Sequence, residues 1–277
     1  MIVNLIFAAA KILGGLFGHA YVLIADGIES ALDIAGSFVI WGGLKFAARP
    51  PDETHPYGHG KAEPIAAALV AFGVLAAAAG LATESVREIL TPHHRPAPFT
   101  LGILIVVIVV KEILFRYVNR IGRHVQSTAV QTDAWHHRSD ALTSAAAFIG
   151  ISVALIGGSA WQSADDWAAL FACAVIAANG IRLLRPAFYE IMDTAPGGKI
   201  VTSIRRVASS VPGVMQVEKC RVRKMGLDFY VDLHVGVKDS ISVREGHEIA
   251  HQVKAAIQQN DSRVADVLVH IEPAKNL

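Results

Sequence analysis

The sequence predicts a helical membrane domain followed by a small α+β domain, and two observations support this prediction. First, Pro64 to Thr83 and Ala141 to Ala164 are uncharged, mostly apolar runs. Each is long enough to cross a bilayer as a helix, which takes about 20 residues. Second, residues 1–193 carry 28 charged side chains, whereas the 84 residues after them carry 21. The second segment has the charge density of a soluble domain, about one residue in four.

The composition of the whole chain excludes several classes of protein. Hydrophobic residues make up 53% of the 277 residues and charged residues 18%, and the mean hydropathy is +0.42. A net charge of +1 offers no basic surface for a nucleic acid. The two cysteines, Cys173 and Cys220, lie too far apart in sequence to indicate a disulfide scaffold or a thiolate metal cluster. We therefore expect a lipid bilayer as surroundings, no nucleic-acid partner and no prosthetic group.

Four further segments bring the number of predicted membrane spans to six. They are shorter or carry polar residues, and they cover residues 2–18, 21–44, 100–121 and 164–184. Basic residues concentrate in the second–third and fourth–fifth connections: Lys45, Arg49, Lys61, Arg116, Arg120 and Arg123. We expect a multi-pass protein of a bacterial plasma (inner) membrane. The loops that carry the excess of Lys and Arg are the cytoplasmic ones. Both termini, and the second domain at residues 194–277, are then cytoplasmic.

The last 84 residues alternate helical and strand patterns. Gly226 separates two β-rich segments, as in a hairpin. The predicted elements are a helix at Lys199–Val211, strands at Val214–Val222 and Phe229–Val237, a helix at Arg244–Gln259 and a strand at Val264–Ile271. The order α-β-β-α-β is typical of a two-layer sandwich.

Ionisable residues within the predicted spans are the main functional signal. Glu29 and Asp33 lie four residues apart on the second helix, and His136 and Asp140 lie four apart on the fifth. Each pair therefore occupies one helix face. Charged groups at membrane depth are costly unless they are paired or face a wet cavity. Three carboxylates and an imidazole suit a divalent cation such as Zn²⁺. Alternatively, these groups connect helices by hydrogen bonds or lie near the membrane edge.

Other ionisable groups in the spans are predicted to have supporting roles. Asp26 lies off the face of Glu29 and Asp33, which favours a role in pairing rather than in ligation. Lys111 and Glu112 are adjacent and so point to different sides of the fourth helix. We expect each of them to form an ion pair with another helix.

Four segments resemble motifs of the cation diffusion facilitator family, in matching order over nearly the whole chain. They are ADGIESALD (25–33), HPYGHGKAE (55–63), DAWHHRSDA (133–141) and VHIEP (269–273). Members of this family are homodimeric six-helix transporters with a cytoplasmic metallochaperone-like domain. They export divalent metals in exchange for protons. The resemblance implies Zn²⁺ as the first candidate substrate, with Fe²⁺, Mn²⁺, Cd²⁺ and Co²⁺ as others.

Carried onto this sequence, the resemblance implies a transport site at Glu29, Asp33, His136 and Asp140. The family's usual residue at the position of Glu29 is His or Asp, so Glu29 departs from the pattern. An oxygen-rich ligand set favours Mn²⁺ or Fe²⁺ more than a nitrogen-rich set does, although the general affinity order favours Zn²⁺.

The resemblance also implies two accessory metal sites. Asp52, His55 and His59 match a surface site of some members. The alternative for this loop is a solvated turn that Pro and Gly shape. In the tail, the positions that match the cytoplasmic metal cluster are Glu218, His234, His247, His270 and Glu272. Glu218 replaces a His and Glu272 replaces an Asp, and the alternative for each lone His is a surface or strand-face position.

Two other functions compete with transport. His247-Glu248-Ile249-Ala250-His251 fits the H-E-x-x-H pattern of zinc proteases. A protease also needs a third ligand and a substrate cleft, which the tail does not clearly offer, so we expect no enzyme. The second alternative is a membrane metal sensor or receptor that binds a metal without moving it.

Overall fold

The chain folds into two compact units. The computed structural model describes residues 2–90, 96–124, 128–157, 161 and 163–274, without the side chains of residues 2, 3, 122, 123, 128–137 and 139. One unit comprises Met1–Val39 and Leu69–Leu184, and the other comprises Ile40–Ala68 and Arg185–Leu277. The second unit therefore contains the predicted cytoplasmic domain together with the connection between the second and third helices.

Six helices precede the tail in the described part of the chain. They are α1 (Ile2–Gly18), α2 (Tyr21–Ala47), α3 (Ala62–Leu90), α4 (Phe99–His124), α5 (Thr128–Ile156) and α6 (Ala164–Ile191). Among the described residues, α3 and α6 are long and apolar enough by composition to cross a membrane, and Asn4–Gly18 and Asp140–Ile156 are shorter apolar segments. The apolar run at Ala141–Ala164 is not one helix, because α5 ends at Ile156.

The first unit is apolar both inside and outside. Leu23, Leu104 and Ile151 are fully buried, and small residues such as Ala20 and Ala147 let the helices approach closely. Large apolar side chains are also exposed along the helices, among them Phe17, Leu69, Phe72, Ile105, Ile149 and Phe171. A soluble monomer rarely exposes so much contiguous apolar surface, so this pattern fits a surrounding of lipid.

The tail has the predicted α-β-β-α-β order. Its elements are α7 (Gly198–Ser209), β1 (Gln216–Met225), β2 (Asp228–Val237), α8 (Val243–Asn260) and β3 (Val264–Pro273). The sheet order is β1-β2-β3, with β1 antiparallel and β3 parallel to β2. Gly226 closes the hairpin with a φ of 66°, a conformation that glycine adopts without strain. Because β2 and β3 are parallel, α8 is the crossover between them.

The core of this sandwich is formed by one face of β2 and the two helices. Leu233 and Val235 are completely buried, together with Val253 of α8 and Ile204 of α7. Since side chains alternate along a strand, His234 lies on the opposite face of the sheet. That face is therefore available for polar chemistry while the other stabilises the fold.

Helix α8 begins with a complete capping box. The Ser242 hydroxyl accepts a hydrogen bond from the Glu245 backbone N–H at 3.2 Å, and the Glu245 carboxylate accepts one from the Ser242 backbone N–H at 2.7 Å. The hydrogen bond from the Ser242 backbone lowers the pKa of Glu245. This cap fixes the start of α8 at Val243, four residues before His247.

Candidate metal centres

The predicted intramembrane ligands lie on α2 and α5. Glu29 and Asp140 are half-buried and Asp33 is exposed. The carboxylate of Glu29 interacts electrostatically with those of Asp26, Asp33 and Asp140 and with the ammonium group of Lys11. His136 belongs to α5, one turn before Asp140, but its side chain lies outside the described residues. Among the described donor atoms, Glu29, Asp33 and Asp140 do not form a group in which all lie within 4.8 Å of one another.

Two fully buried lysines accompany these carboxylates, and sequence reasoning missed one of them. Lys11 of α1 is 0% exposed, and its Nζ lies 2.9 Å from the Asp26 carboxylate of α2. Ser144 of α5 donates a hydrogen bond to the same carboxylate oxygen at 2.6 Å. Asp26 therefore connects three helices, in agreement with its predicted pairing role. The signal for Lys11 was a lone lysine within the first apolar run.

The second buried lysine pairs with a predicted ligand. Lys111 of α4 is 2% exposed, and its Nζ lies 2.6 Å from Oδ2 of Asp140. This confirms the expected ion pair with another helix. The same expectation for Glu112 is wrong, because Glu112 accepts a hydrogen bond from Arg116 of its own helix at 2.8 Å. The i,i+4 spacing within α4 places these two side chains side by side.

The loop between α2 and α3 brings Asp52, His55 and His59 together. Their donor atoms all lie within 4.8 Å of one another. One Asp52 oxygen lies 3.1 Å from Nδ1 of His55, and the other lies 3.3 Å from Nε2 of His59. The Thr54 hydroxyl and the backbone N–H of His55 donate to Asp52, which holds the pKa of this carboxyl well below its usual range. The carboxylate is therefore charged and ready to bind a cation at neutral pH.

The same loop packs against the β1–β2 hairpin of the second unit. Tyr230 donates a hydrogen bond to the backbone oxygen of Tyr57 at 3.1 Å, and the two rings meet edge to face. A Cβ added at Gly60 would collide with the carbonyl group of Met225, so only glycine allows this approach. The loop cluster is thus held by the β1–β2 hairpin as well as by its own turn.

Ionic contacts strengthen this attachment at the ends of two membrane helices. Lys61, just before α3, lies 2.5 Å from Asp193 and donates to the backbone oxygen of Glu190 at 2.7 Å. The Glu190 side chain pairs with Lys224 of β1 at 2.8 Å. Lys61 is therefore in a salt bridge and does not belong to the group of Asp52, His55 and His59.

A second cluster forms on the sheet face opposite the core. His234 of β2 and His270 of β3 are direct partners in the parallel register, and their ring centroids lie 4.8 Å apart. Nδ1 of His234 lies 3.3 Å from the carboxylate of Glu272. These three residues form a group in which all donor atoms lie within 4.8 Å. Strand pairing brings His234 and His270 together here, although they lie 36 positions apart in sequence.

Two residues predicted for this cluster lie outside that group. Glu218 is on β1, which is separated from β3 by the central strand β2. Because neighbouring strands lie about 4.8 Å apart, Glu218 is about two strand spacings from His270. His247 lies on α8 and lines a cavity of about 400 Å³ together with His270 and Glu272. The cavity therefore extends the cluster to His247, while Glu218 lies on the strand next to that of His234.

Each cluster contains a buried nitrogen or oxygen atom, a possible metal ligand, that makes no hydrogen bond within the described residues. Nδ1 of His59 and Oε1 of Glu272 have no hydrogen-bond partner within the described residues. Buried polar atoms are nearly always satisfied, and an unsatisfied one calls for an explanation such as a missing ion. A divalent cation at either cluster would supply the missing partner.

The two histidines of the H-E-x-x-H segment lie side by side on α8. His247 and His251 are exposed on α8, with ring centroids 4.5 Å apart. Neither belongs to a group of three or more described His, Cys, Asp or Glu donors within 4.8 Å. A zinc protease needs a third ligand for its metal.

The fold and these clusters define a class of protein, a helical membrane protein with a separate α+β domain and several candidate cation sites. Comparison with known families makes the assignment specific. The model for the cation efflux transmembrane domain matches residues 1–192, and that for the cytoplasmic domain of cation efflux proteins matches residues 196–274. The chain belongs to the cation diffusion facilitator family, whose members carry divalent metal cations out across a membrane and dimerise through the cytoplasmic domain.

Individual relatives cover nearly the whole chain. The manganese efflux system protein MneP of Bacillus subtilis (strain 168) is 30% identical over 277 residues, which is 99% of this chain and 93% of that protein. The magnetosome protein MamB of Magnetospira sp. (strain QH-2) is 31% identical over 265 residues, 95% of this chain and 89% of that protein. The solved structure MamM-CTD is 32% identical, covers 27% of this chain and 96% of its own, and has a TM-score of 0.27.

We predict that the loop cluster binds one divalent ion per chain. In the full-length protein, the double substitution His55→Ala and His59→Ala is expected to lower the number of bound Zn²⁺ ions by one per chain, since Asp52 alone cannot hold the ion. Equilibrium dialysis followed by metal analysis measures this number. The control is His124→Ala, an exposed histidine at the end of α4. An unchanged count in the double variant would show that the loop is a solvated turn.

Proposed function

We propose that this protein exports a divalent metal cation across a membrane in exchange for protons, by alternating access around Glu29, Asp33, His136 and Asp140. The observation that carries the proposal is the arrangement on α2 and α5: Glu29 lies within electrostatic range of Asp33 and Asp140 in the helical membrane unit. Carboxylates that share a site in a membrane domain repel one another unless a cation or protons join them. A transported dication meets that requirement.

Proton exchange follows from the charge of this site. Three carboxylates around a dication leave a net charge of −1, which Lys111 beside Asp140 balances, but an empty and dry site would hold two carboxylate charges that Lys111 does not neutralise. Protons therefore replace the metal on the return step. An imidazole, with an ordinary pKa of about 6.5, is a suitable carrier near neutral pH. Low pH outside then favours metal release, and the less acidic cytoplasm favours loading.

The substrate metal is the finer part of the proposal. The affinity order of divalent ions supports Zn²⁺ as the first candidate, whereas the three oxygen ligands support Mn²⁺ or Fe²⁺. The relative named for manganese efflux adds support for Mn²⁺. Competition between Zn²⁺, Mn²⁺, Fe²⁺, Cd²⁺ and Co²⁺ in one flux assay ranks them directly.

The rest of the architecture is assigned around this transport site. Residues 1–193 form a domain with six spans in a bacterial plasma membrane, and residues 194–277 form a cytoplasmic domain that clamps a homodimer. Both termini face the cytoplasm. The loop and tail clusters bind the same divalent ions as regulatory ligands, which shifts the population of dimers between splayed and closed pairs. In this proposal the protein is not an enzyme.

A metal receptor that binds without transport is the competing function. The two differ in flux, since a receptor needs no exchange of protons for metal. Membership of an efflux family and ligands at membrane depth favour transport.

The test is Zn²⁺ flux into proteoliposomes that contain the full-length protein under an imposed pH gradient. We expect gradient-dependent flux, and we expect Asp33→Ala to reduce it about 100-fold or more because the metal loses a charged ligand. The control is Glu112→Ala, which removes a carboxylate of α4 outside the predicted ligand set.

Two outcomes contradict the proposal. Tight Zn²⁺ binding without flux in the unmodified protein would support the receptor. Flux by Asp33→Ala at the unmodified rate would show that the transport site lies elsewhere.

A further inference from the structure

The ion pair between Lys111 and Asp140 places a cation of the protein itself on a candidate metal ligand. Lys111 Nζ lies 2.6 Å from Oδ2 of Asp140 and 3.2 Å from the side-chain oxygen of Asn4 on α1. The lysine side chain is 2% exposed and that of Asp140 is 16% exposed. Three helices, α1, α4 and α5, therefore hold the ammonium group in place.

A metal ion and this ammonium group compete for the same carboxylate. Metal–oxygen bonds to carboxylates are about 2.0–2.2 Å long. A metal ion on Oδ2 would then lie within about 5 Å of the present position of Nζ, where two cations in a protein interior repel each other strongly. Metal binding at Oδ2 of Asp140 therefore requires that the ammonium group move away from this oxygen.

The structure offers a place for the displaced group. Asn4 already accepts a hydrogen bond from Nζ, and its amide is neutral. An ammonium group that leaves Asp140 keeps its hydrogen bond to Asn4 on α1. It therefore stays near the site and still has a polar partner in the membrane. The Lys111 side chain can thus take two positions, one on Asp140 and one on Asn4 alone.

We propose that Lys111 is a tethered counter-ion of the transport site: its ammonium group occupies Asp140 while the metal is absent, yields to the metal on loading, and returns to promote release. This inference rests on the proposed function, since it takes Asp140 as a transport ligand. Lys111 does not bind the metal. It limits metal affinity so that a site with three carboxylates can still release its substrate.

The charges of the neighbouring groups fit this role. Glu29, Asp33 and Asp140 together with Lys111 carry a formal charge of −2, which one divalent cation neutralises. The other buried lysine, Lys11, is paired with Asp26 and adds no net charge. A loaded site with Lys111 nearby is therefore electrically neutral, which lowers the cost of its passage between the two faces of the membrane.

The experiment measures metal affinity and transport in the full-length protein. To isolate the transport site, all variants carry His55→Ala, His59→Ala, His234→Ala and His270→Ala, which disable the two accessory clusters. Against this background, Lys111→Met is expected to tighten Zn²⁺ and Mn²⁺ binding about tenfold, because a repelling charge is removed. The half-saturating metal concentration for transport should fall, and the maximal rate should also fall because release becomes slow.

Three further variants separate charge from packing. Lys111→Arg keeps the charge and should restore an affinity near the unmodified value. Lys111→Gln keeps a hydrogen-bond donor without charge and should tighten binding as Met does, and it also serves if Lys111→Met fails to fold. The double variant Lys11→Met with Asp26→Asn removes the other buried ion pair without leaving an unpaired charge, and it should shift the affinity by no more than about twofold.

The outcomes distinguish this inference from the proposed function. Weaker or unchanged metal binding in both Lys111→Met and Lys111→Gln would overturn the counter-ion role. That result would leave the transport site intact provided that Asp140→Asn weakens binding in the same assay. Unchanged binding in Asp140→Asn would instead contradict the ligand assignment itself, and the inference about Lys111 would fail with it.

Discussion

Replacing Lys11 with Met is expected to destabilise the helical unit by about 3–5 kcal/mol. The Asp26 carboxylate is 4% exposed, and Lys11 is its charged partner at 2.9 Å. Without the ammonium group, the hydrogen bond from Ser144 remains, but one neutral donor does not balance a buried negative charge. Thermal unfolding of the full-length protein in detergent micelles measures the effect, and hydrogen exchange in α1 and α2 locates it.

The double variant Lys11→Met with Asp26→Asn is the matched control for this prediction. It removes both charges, and the Asn side chain can still accept the hydrogen bond from Ser144. Because no buried charge is left unpaired, most of the lost stability should return. If Lys11→Met alone unfolds at the unmodified temperature, the pair is solvated and the assignment of Asp26 as a buried structural carboxylate is wrong.

Replacing Leu233 with Ala is expected to destabilise the cytoplasmic domain by about 2–5 kcal/mol. Leu233 is 0% exposed on the central strand and packs in the core between the sheet and the two helices. Truncation leaves a cavity that the closely packed β-branched neighbours cannot fill. Hydrogen exchange of the β2 backbone amides in the full-length protein measures the free energy of opening of this domain.

Leu227→Ala is the control, because the same substitution is made in the same hairpin. Leu227 is 68% exposed in the turn, so its truncation should change the opening free energy by no more than about 0.5 kcal/mol. Equal effects of the two substitutions would show that the core of the domain is not where β2 places it. The face of β2 that carries His234 would then also be misassigned.

The elements of the fold could be predicted because each has a local signal. Apolar runs mark the membrane helices, and alternation of apolar residues together with Gly226 marks the hairpin. Helix ends were less certain where polar residues continue a helix beyond its apolar part. Thus α5 begins at Thr128, well before the uncharged run at Ala141. The uncharged run indicates only the part of α5 that can contact lipid. The helix itself continues as long as its backbone hydrogen bonds are made.

The candidate sites also differ in how well the sequence predicts them, because only one of the two clusters is formed by residues that are close in sequence. Asp52, His55 and His59 are close in sequence, and one turn is enough to bring them together. His234 and His270 meet only because β2 and β3 pair in parallel register. Sequence motifs named both residues, but only the strand pairing shows that they are direct neighbours.

By itself, the sequence determined the helical membrane domain, the α-β-β-α-β tail, the family, and the pairs of carboxylates and histidine at helical spacing. Each of these depends on neighbours within a few residues, so composition and periodicity record them. Only the tertiary structure decided that Lys111 forms an ion pair with Asp140 and Lys11 one with Asp26. It also decided that the α2–α3 loop packs on the β1–β2 hairpin. These contacts join residues far apart in the chain, and their partners are selected by helix packing and strand pairing rather than by any local pattern.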